Sequence, residues 1–266
     1  MTAEPKPAPP ATIPVSACIL AYQEIDRIAD CVRSAAFCEQ IVVIDSGSTD
    51  GTRECAAALG AEVVLRAPFP GFKAQRQAAL DLARHDWVLL LDADERVTDE
   101  LRARIVEQQR AGFPAHGYEF PRRNHYLGGI VRRGLWWPDR KLRLVDRRHA
   151  RVGGVDPHDV VELRDGAAPA RLEAPLEHLN YRDFRAHLRT IDRYTAEAAR
   201  NLVAAGRRVS VLDLVLRPPA VFVKSLVLKR GFLDGWRGLL VAATAFWYDL
   251  LKYARALRLA AKRGRP

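Results

Sequence analysis

Short apolar runs alternate with amphipathic stretches along the first hundred or so residues. Residues 15–20 form a compact apolar run, and in residues 26–37 Ile28, Ala29, Val32 and Ala36 recur with helical spacing on one face, extended by Ile25. Ile41, Val42, Val43 and Ile44 are an unbroken, mostly β-branched run of the kind a buried parallel strand needs. The pattern then predicts a helix over 50–59 closed by Gly60, a strand over 62–65, a helix over 72–84 and a strand over 87–91. Thr98 followed by Asp99 and Glu100 marks the start of another helix, with acids in the turn where the helix dipole favours them. Strands alternating with helices imply a parallel α/β sheet built from crossover units.

After Gly117 the rhythm changes. Strand-like pieces at 118–120, 141–145 and 160–163 lie among loops rich in Gly, Pro and Arg. Phe184, Leu188, Ile191, Thr195, Ala198 and Leu202 then recur at helical spacing up to Gly206. Beyond Gly206, the apolar blocks 209–216, 220–228 and 239–251 alternate with Arg and Lys, and Pro218-Pro219 is expected to separate two helices. The expected organisation is a disordered leader at 1–13, a nucleotide-binding half at 14–112, an acceptor-binding half with the long helix at 113–206, and a basic amphipathic tail at 207–266.

Charge sharpens this picture. The net charge is +10 from 42 basic and 32 acidic residues. Residues 207–266 hold 13 Lys/Arg against Asp213, Asp234 and Asp249, which is also +10, so the first 206 residues are neutral. That split argues against a nucleic-acid-binding body and for a tail that meets a phosphate-rich surface. Cys18, Cys31, Cys38 and Cys55 show no zinc spacing, and a disulfide framework is not expected. The Pro-rich start lacks the layout of a signal peptide, and no apolar run reaches the ~18–20 residues of a spanning helix.

Three polar clusters fall directly after expected strands, where ligands bind in open parallel sheets. They are Tyr22-Gln23-Glu24, the run Asp45-Ser46-Gly47-Ser48-Thr49-Asp50-Gly51-Thr52, and Asp92-Ala93-Asp94-Glu95. An isolated Asp-x-Asp is often just a solvated turn. Placed at the mouth of the apolar strand 87–91, these carboxylates call for a cation, and hard oxygen donors suit Mg²⁺ or Mn²⁺ with a diphosphate. Asp45, directly after an apolar strand, points to the ligand crevice and could accept a hydrogen bond from a base, with Tyr22 stacking on it. Neither a Rossmann glycine fingerprint nor a P-loop is present.

These residues, with Arg76 in the third helix, resemble the signatures of glycosyltransferase family 2, over roughly residues 14–144. The resemblance implies the GT-A fold: a Rossmann-like nucleotide-binding half with a mixed central sheet, here followed by C-terminal amphipathic helices. Residues 71–77, 136–144, 222–224 and 231–235 are similar to the branch of lipopolysaccharide-core β-glucosyltransferases. The resemblance implies a UDP-sugar donor with Tyr22, Glu24, Asp45 and Arg76 around the uridine, Asp92 near the ribose and Asp94 on the metal. Gln23 and Gln77 stand where Asn is commoner in the family.

Transfer with inversion needs a base for the acceptor hydroxyl. Asp139 is the candidate, following Trp136 and Trp137 and preceding Arg140 and Arg143; the alternative is a turn acid paired with arginine beside core tryptophans. His158 is a candidate metal ligand, with His178 and His125 ranked after it. The tail could pack as ordinary helices or lie in a bilayer interface with Trp236, Trp247 and Tyr248 at the boundary, and its charge favours the interface. The expected activity is metal-dependent transfer of a hexose, glucose first, from UDP to a lipid-linked saccharide such as a lipopolysaccharide inner core. The expected location is the cytoplasmic face of the bacterial inner membrane, as a peripheral protein that takes no nucleic acid. A polyprenyl-phosphate acceptor, or a nucleotide-binding protein without turnover, are the alternatives.

Overall fold

The computed structural model describes residues 12–155, 158–181 and 183–263, with only the backbone described at 155, 158, 159, 165, 262 and 263. These residues form two compact units: one runs up to Arg122 and resumes over Arg140–His178, and the other comprises Arg123–Asp139 and the chain from Leu179 on.

The first unit opens with β1 (Ile13–Ala21), α1 (Ile25–Ser34), β2 (Cys38–Asp45), α2 (Thr52–Ala58), β3 (Glu62–Leu65), α3 (Phe72–Leu82) and β4 (Trp87–Asp92). Strands β3, β2, β1 and β4 lie side by side and parallel, as the alternating pattern requires. After β5 (Glu95–Val97) and α4 (Asp99–Arg110), the chain enters β6 (Gly117–Tyr126), which pairs beyond Arg122 with β7 (Gly129–Val131). Strand β8 (Asp139–Asp146) then joins β4 antiparallel, which makes the sheet mixed. β9 (Ala150–Val155) and β10 (His158–Leu163) form a separate hairpin, while β11 (Ala170–Arg171) and β12 (Leu176–Tyr181) extend the main sheet.

Both faces of the parallel strands are covered. Val88 to Leu91 are fully buried, contributing about 1.5–3 kcal/mol per side chain to folding. One face packs on α1 and α4 through Ile28, Val32, Leu101 and Ile105; the other packs on α3 through Ala79 and Leu80, with Ala83 just past its end. Thr98 caps α4 by accepting a hydrogen bond from the Leu101 amide at 3.1 Å, and its own hydroxyl donates to the Pro175 carbonyl. α1 ends earlier than its hydrophobic period suggests, because β2 begins at Cys38. Gln40, polar but buried, belongs to that strand: its Oε1 accepts from the Ser16 hydroxyl and from the Arg84 amide, both at 2.6 Å. The cysteines are free. Cys18, Cys31 and Cys38 are buried, and burial pushes their thiols up, Cys18 to about 12.

The second unit is built on α5 (Phe184–Ala204), α6 (Val211–Val223) and α7 (Gly235–Arg263). Asp183 caps α5 by accepting from the Ala186 amide, and Ser210 with Asp213 forms a capping box on α6. The expected break at Pro218-Pro219 does not occur: α6 runs through both prolines and continues into a π-turn over Lys224–Leu228. The prolines deprive the carbonyls of Leu214 and Val215 of their helical donors; Val215 is exposed, and packing of α6 along α7 holds the helix together. Gly238 is obligatory on α7, since a Cβ there would lie 1.7 Å from the Gly231 carbonyl oxygen. Among the described residues no helix is long and apolar enough to cross a membrane.

An aromatic cluster anchors this unit. The Tyr126 hydroxyl and His187 Nδ1 share a hydrogen bond of 2.7 Å, Tyr181 stacks on the imidazole at 4.2 Å, and Trp136 meets Tyr126 edge-on. Burial pushes His187 down from 6.5 to about 4. Between those values the unfolded chain binds a proton that the folded chain refuses, so stability falls as pH drops through this window. The loss attributable to His187 is about 2 kcal/mol by pH 5. Thermal melts at pH 7.5 and 5.0 should show a larger drop for the wild type than for His187→Gln, and equal drops would contradict this assignment.

Candidate nucleotide-sugar site

Register brings the three polar clusters to one end of the parallel strands. Ala21 pairs with Asp45 and Leu20 with Asp92, so the loops after β1, β2 and β4 leave the sheet together. The first two loops are stitched to each other. Ser48 Oγ accepts from the Gln23 amide at 2.8 Å, Thr52 Oγ1 from the Glu24 amide at 2.9 Å, and Asp50 Oδ2 from the Ile25 amide at 3.1 Å. Gln23 sits at φ 56°, in the left-handed region where Asn is at less cost than Gln. That gives a physical reason for the Asn commonly found at this position in the family resembled.

Asp45 is fully buried. Its Oδ1 accepts from the amides of Gly47 and Ser48 at 2.9 and 2.7 Å, and its Oδ2 accepts from the Ser48 hydroxyl at 2.5 Å. In this arrangement the carboxylate shapes the loop from within. Tyr22, by contrast, is 59% exposed, a bare ring beside that loop.

The densest chemistry follows β4. Arg143, 5% exposed on β8, reaches Asp92 Oδ2 at 2.5 Å and Glu95 Oε1 at 2.7 Å. Arg76 Nη2 approaches Asp92 Oδ1 at 3.4 Å, and Arg122 Nη1 approaches Glu95 Oε1 at 3.2 Å. Glu95 is fully buried and also accepts from the Asp92 backbone amide at 2.9 Å. Burial alone would raise the Asp92 carboxyl, but Arg143, Arg76 and Arg122 hold it well below the usual carboxylate range. Asp92 is thus a fixed anion already taken by arginine.

Asp94 is placed differently. Its Oδ2 lies 3.4 Å from His178 Nε2 and 3.9 Å from Arg27 Nη1, and Arg27 also approaches Glu24 at 3.7 Å. Arg27, Arg76, Arg122 and Arg143 thus face Glu24, Asp92, Asp94 and Glu95, and Arg96 adds a further cation that donates to the Ala93 and Glu95 carbonyls. His178 is the histidine the sequence undervalued: β12 carries it to Asp94. His158 opens β10, but its side chain lies outside the described residues. Asp139 belongs to the second unit, half-buried at the start of β8 after a cis Trp137-Pro138 bond. Arg140 pairs with Glu173, and Arg143 with Asp92 and Glu95.

Asp94 and His178 offer an oxygen and a nitrogen close enough to be neighbours on one ion, a donor set suited to Mn²⁺ or Mg²⁺ once phosphate oxygens and waters complete it. The residues fit the metal. Elsewhere, His116, Asp146 and His149 form the one cluster of three potential ligands found among the described residues, but there Arg148 already clasps Asp146 at 2.7 and 2.9 Å.

A parallel sheet with acids at its carboxyl edge, joined by an antiparallel continuation, is the GT-A arrangement, and the protein is a glycosyltransferase. The family model described as glycosyl transferase family 2 matches residues 16–153, just over half of the 266, and the chain belongs to that family. It is 27% identical over 263 residues to the lipopolysaccharide core biosynthesis glycosyltransferase LpsC of Rhizobium meliloti, covering 96% of each chain. Among solved structures it is similar to mannosyl-3-phosphoglycerate synthase of Rubrobacter xylanophilus (TM-score 0.47, 23% identity, 73% of this chain and 76% of that one). It is also similar to glucosyl-3-phosphoglycerate synthase of Mycobacterium tuberculosis, solved with Mn²⁺, UDP and glucosyl-3-phosphoglycerate (TM-score 0.35, 23% identity, 42% and 44% of the two chains).

Arg143 and Asp94 should separate in a stability measurement. Arg143→Met leaves the buried Glu95 and the partly exposed Asp92 short of a partner and should cost about 3 kcal/mol in urea denaturation. Asp94→Asn should change stability by less than about 1 kcal/mol. Equal losses would show that Asp94 is as structural as Arg143.

Proposed function

We propose that this glycosyltransferase is an inverting, divalent-metal-dependent enzyme that moves a hexose, glucose first, from a UDP-sugar to a lipid-linked saccharide of the lipopolysaccharide inner core. The observation that carries the donor half is the division between the two acids, with Asp92 fixed by arginine and Asp94 set beside His178. A nucleoside-diphosphate sugar brings about two negative charges and the metal two positive ones, so each offsets the charge that the other brings into the site. Metal and nucleotide should therefore each strengthen the other's binding.

In this reading Asp94 and His178 hold the Mg²⁺ or Mn²⁺, with His158 as a further candidate. The ion supplies charge stabilisation for the departing diphosphate. Tyr22 stacks on the uracil, Asp45 and Glu24 hold the loops that bracket the uridine, Arg76 keeps positive charge beside it, and Asp92 lies near the ribose. Asp139 is the proposed base for the acceptor hydroxyl, its carboxylate half-buried beyond Trp136 and Trp137. The acceptor class is supported by likeness to LpsC along nearly the whole of both chains.

The second unit supports peripheral attachment to the cytoplasmic face of the bacterial inner membrane. Among the described residues, 12 of the 19 exposed large apolar side chains fall between Val211 and Trp247, including Leu228, Phe232, Leu233 and Trp236. Exposed Lys224, Lys229 and Arg230 lie in the same stretch. A crowd of exposed apolar side chains with basic residues among them suits an anionic lipid interface, where each cation adds about 1 kcal/mol.

Turnover of UDP-glucose on a lipopolysaccharide-core acceptor tests the chemistry. Asp94→Asn should lower kcat at least a hundredfold with the fold intact, while Asp139→Asn should lower kcat by a similar factor with UDP affinity unchanged. Near-normal turnover in Asp94→Asn would remove the metal role; an effect of Asp139→Asn on UDP affinity alone would remove the base. Leu228→Glu with Leu233→Glu should weaken sedimentation with anionic vesicles at least tenfold; unchanged sedimentation would refute the lipid surface.

A further inference from the structure

We propose that a cavity within the second unit, bounded by α5, α6 and α7, binds one neutral sugar ring of the acceptor. This rests on the reading of the chain as a transferase acting on a saccharide, and it names where that saccharide is gripped. The cavity has a volume of about 230 Å³. At about 30 Å³ per water this is the space of seven or so waters, enough for a single six-membered ring. Its wall is aromatic, with Trp136, Tyr181, Tyr194 and Tyr248, and it carries His187 and Asp249 as its titratable groups besides the tyrosines.

Two features select the ligand class. First, the wall carries no unbalanced charge: Asp249 is paired with Lys252, and burial keeps His187 neutral near pH 7. A phosphate or carboxylate ligand would find no spare cation there, and Glu197 near Tyr248 adds negative charge beside the wall. Second, hydrogen-bonding groups line the cavity without partners of their own. Among the described residues the hydroxyls of Tyr194 and Tyr248 make no hydrogen bond, and His187 bonds Tyr126 through Nδ1, leaving Nε2 over. A ligand that fills the cavity must replace the water that these groups otherwise meet. A hydrocarbon chain would leave all three unsatisfied; a ring with an apolar C–H face and a rim of hydroxyls meets aromatic wall and polar groups together.

The test uses the full chain, with intrinsic tryptophan fluorescence and saturation-transfer NMR reading binding of methyl β-glucoside, methyl α-mannoside and 1-octanol. UDP with Mn²⁺ is titrated in parallel. At least one glycoside should bind saturably in the millimolar range, and Tyr194→Phe with Tyr248→Phe should weaken it at least fivefold while UDP binding stays unchanged. The inference is overturned if neither glycoside binds, if both bind the double variant as well as the wild type, or if octanol alone saturates the site. A wild type that binds glycoside but not UDP would instead count against the transferase reading and leave the sugar site standing.

Discussion

Arg143 is the residue on which the candidate donor site turns. It rises from β8, the first antiparallel neighbour of the parallel strands, and ties Asp92 at the end of β4 to Glu95 at the start of β5. A guanidinium with two carboxylates at hydrogen-bonding distance is a costly arrangement to bury unless every member stays charged, and the arginine excess around Asp92 ensures that it does. The consequence is geometric. With Glu95 accepting from the Asp92 amide, the tight turn through Ala93 and Asp94 is closed at its base, and Asp94 emerges from it beside His178. The two acids of the Asp-x-Asp therefore differ: the first is held by arginine at the sheet edge, and the second stands beside His178.

The loops on the other two strands follow the same logic with weaker forces. Asp45 sits fully buried because three donors from its own turn satisfy it, and Ser48, oriented by that contact, accepts the Gln23 amide from the neighbouring loop. Tyr22 is exposed as a result, a large ring with no core to join. In the second unit the balance is the reverse. There, helices carry apolar side chains outward over a long stretch, and polar tyrosine and histidine groups line a cavity inside. Both features run against ordinary burial preferences, and each makes sense as a surface for a ligand: lipid outside, saccharide within.

Much of the first unit was legible in the sequence because its signals are local. The β-branched run at 41–44 and the apolar run at 87–91 specify buried strands, and β3 has the bounds the pattern gives. The turn residues after β2 and the acids after β4 mark the carboxyl edge of the parallel strands. What stayed hidden depends on pairing across the sheet. Arg143 is one arginine among many in an Arg-rich segment, and its place between Leu142 and Leu144 on a strand was the available hint that it is buried. His178 meets Asp94 only because β12 lies antiparallel to β5, a register no single segment encodes. Gln40 reads as a surface residue until Ser16 and the Arg84 amide are known to bond it. Pro218-Pro219 reads as a helix break, yet packing along α7 outweighs the two lost hydrogen bonds.

The central claim is that the sheet edge binds a uridine nucleotide together with a divalent cation. Calorimetric titration of the full chain with UDP, GDP and NAD, first with Mn²⁺ and then with EDTA, tests it most directly. The account predicts tight binding of UDP alone among the three, weakened by EDTA and by Asp94→Asn. Folded protein that binds no UDP under either condition would mean that the edge motifs are structural turns, and the account of the site would fail.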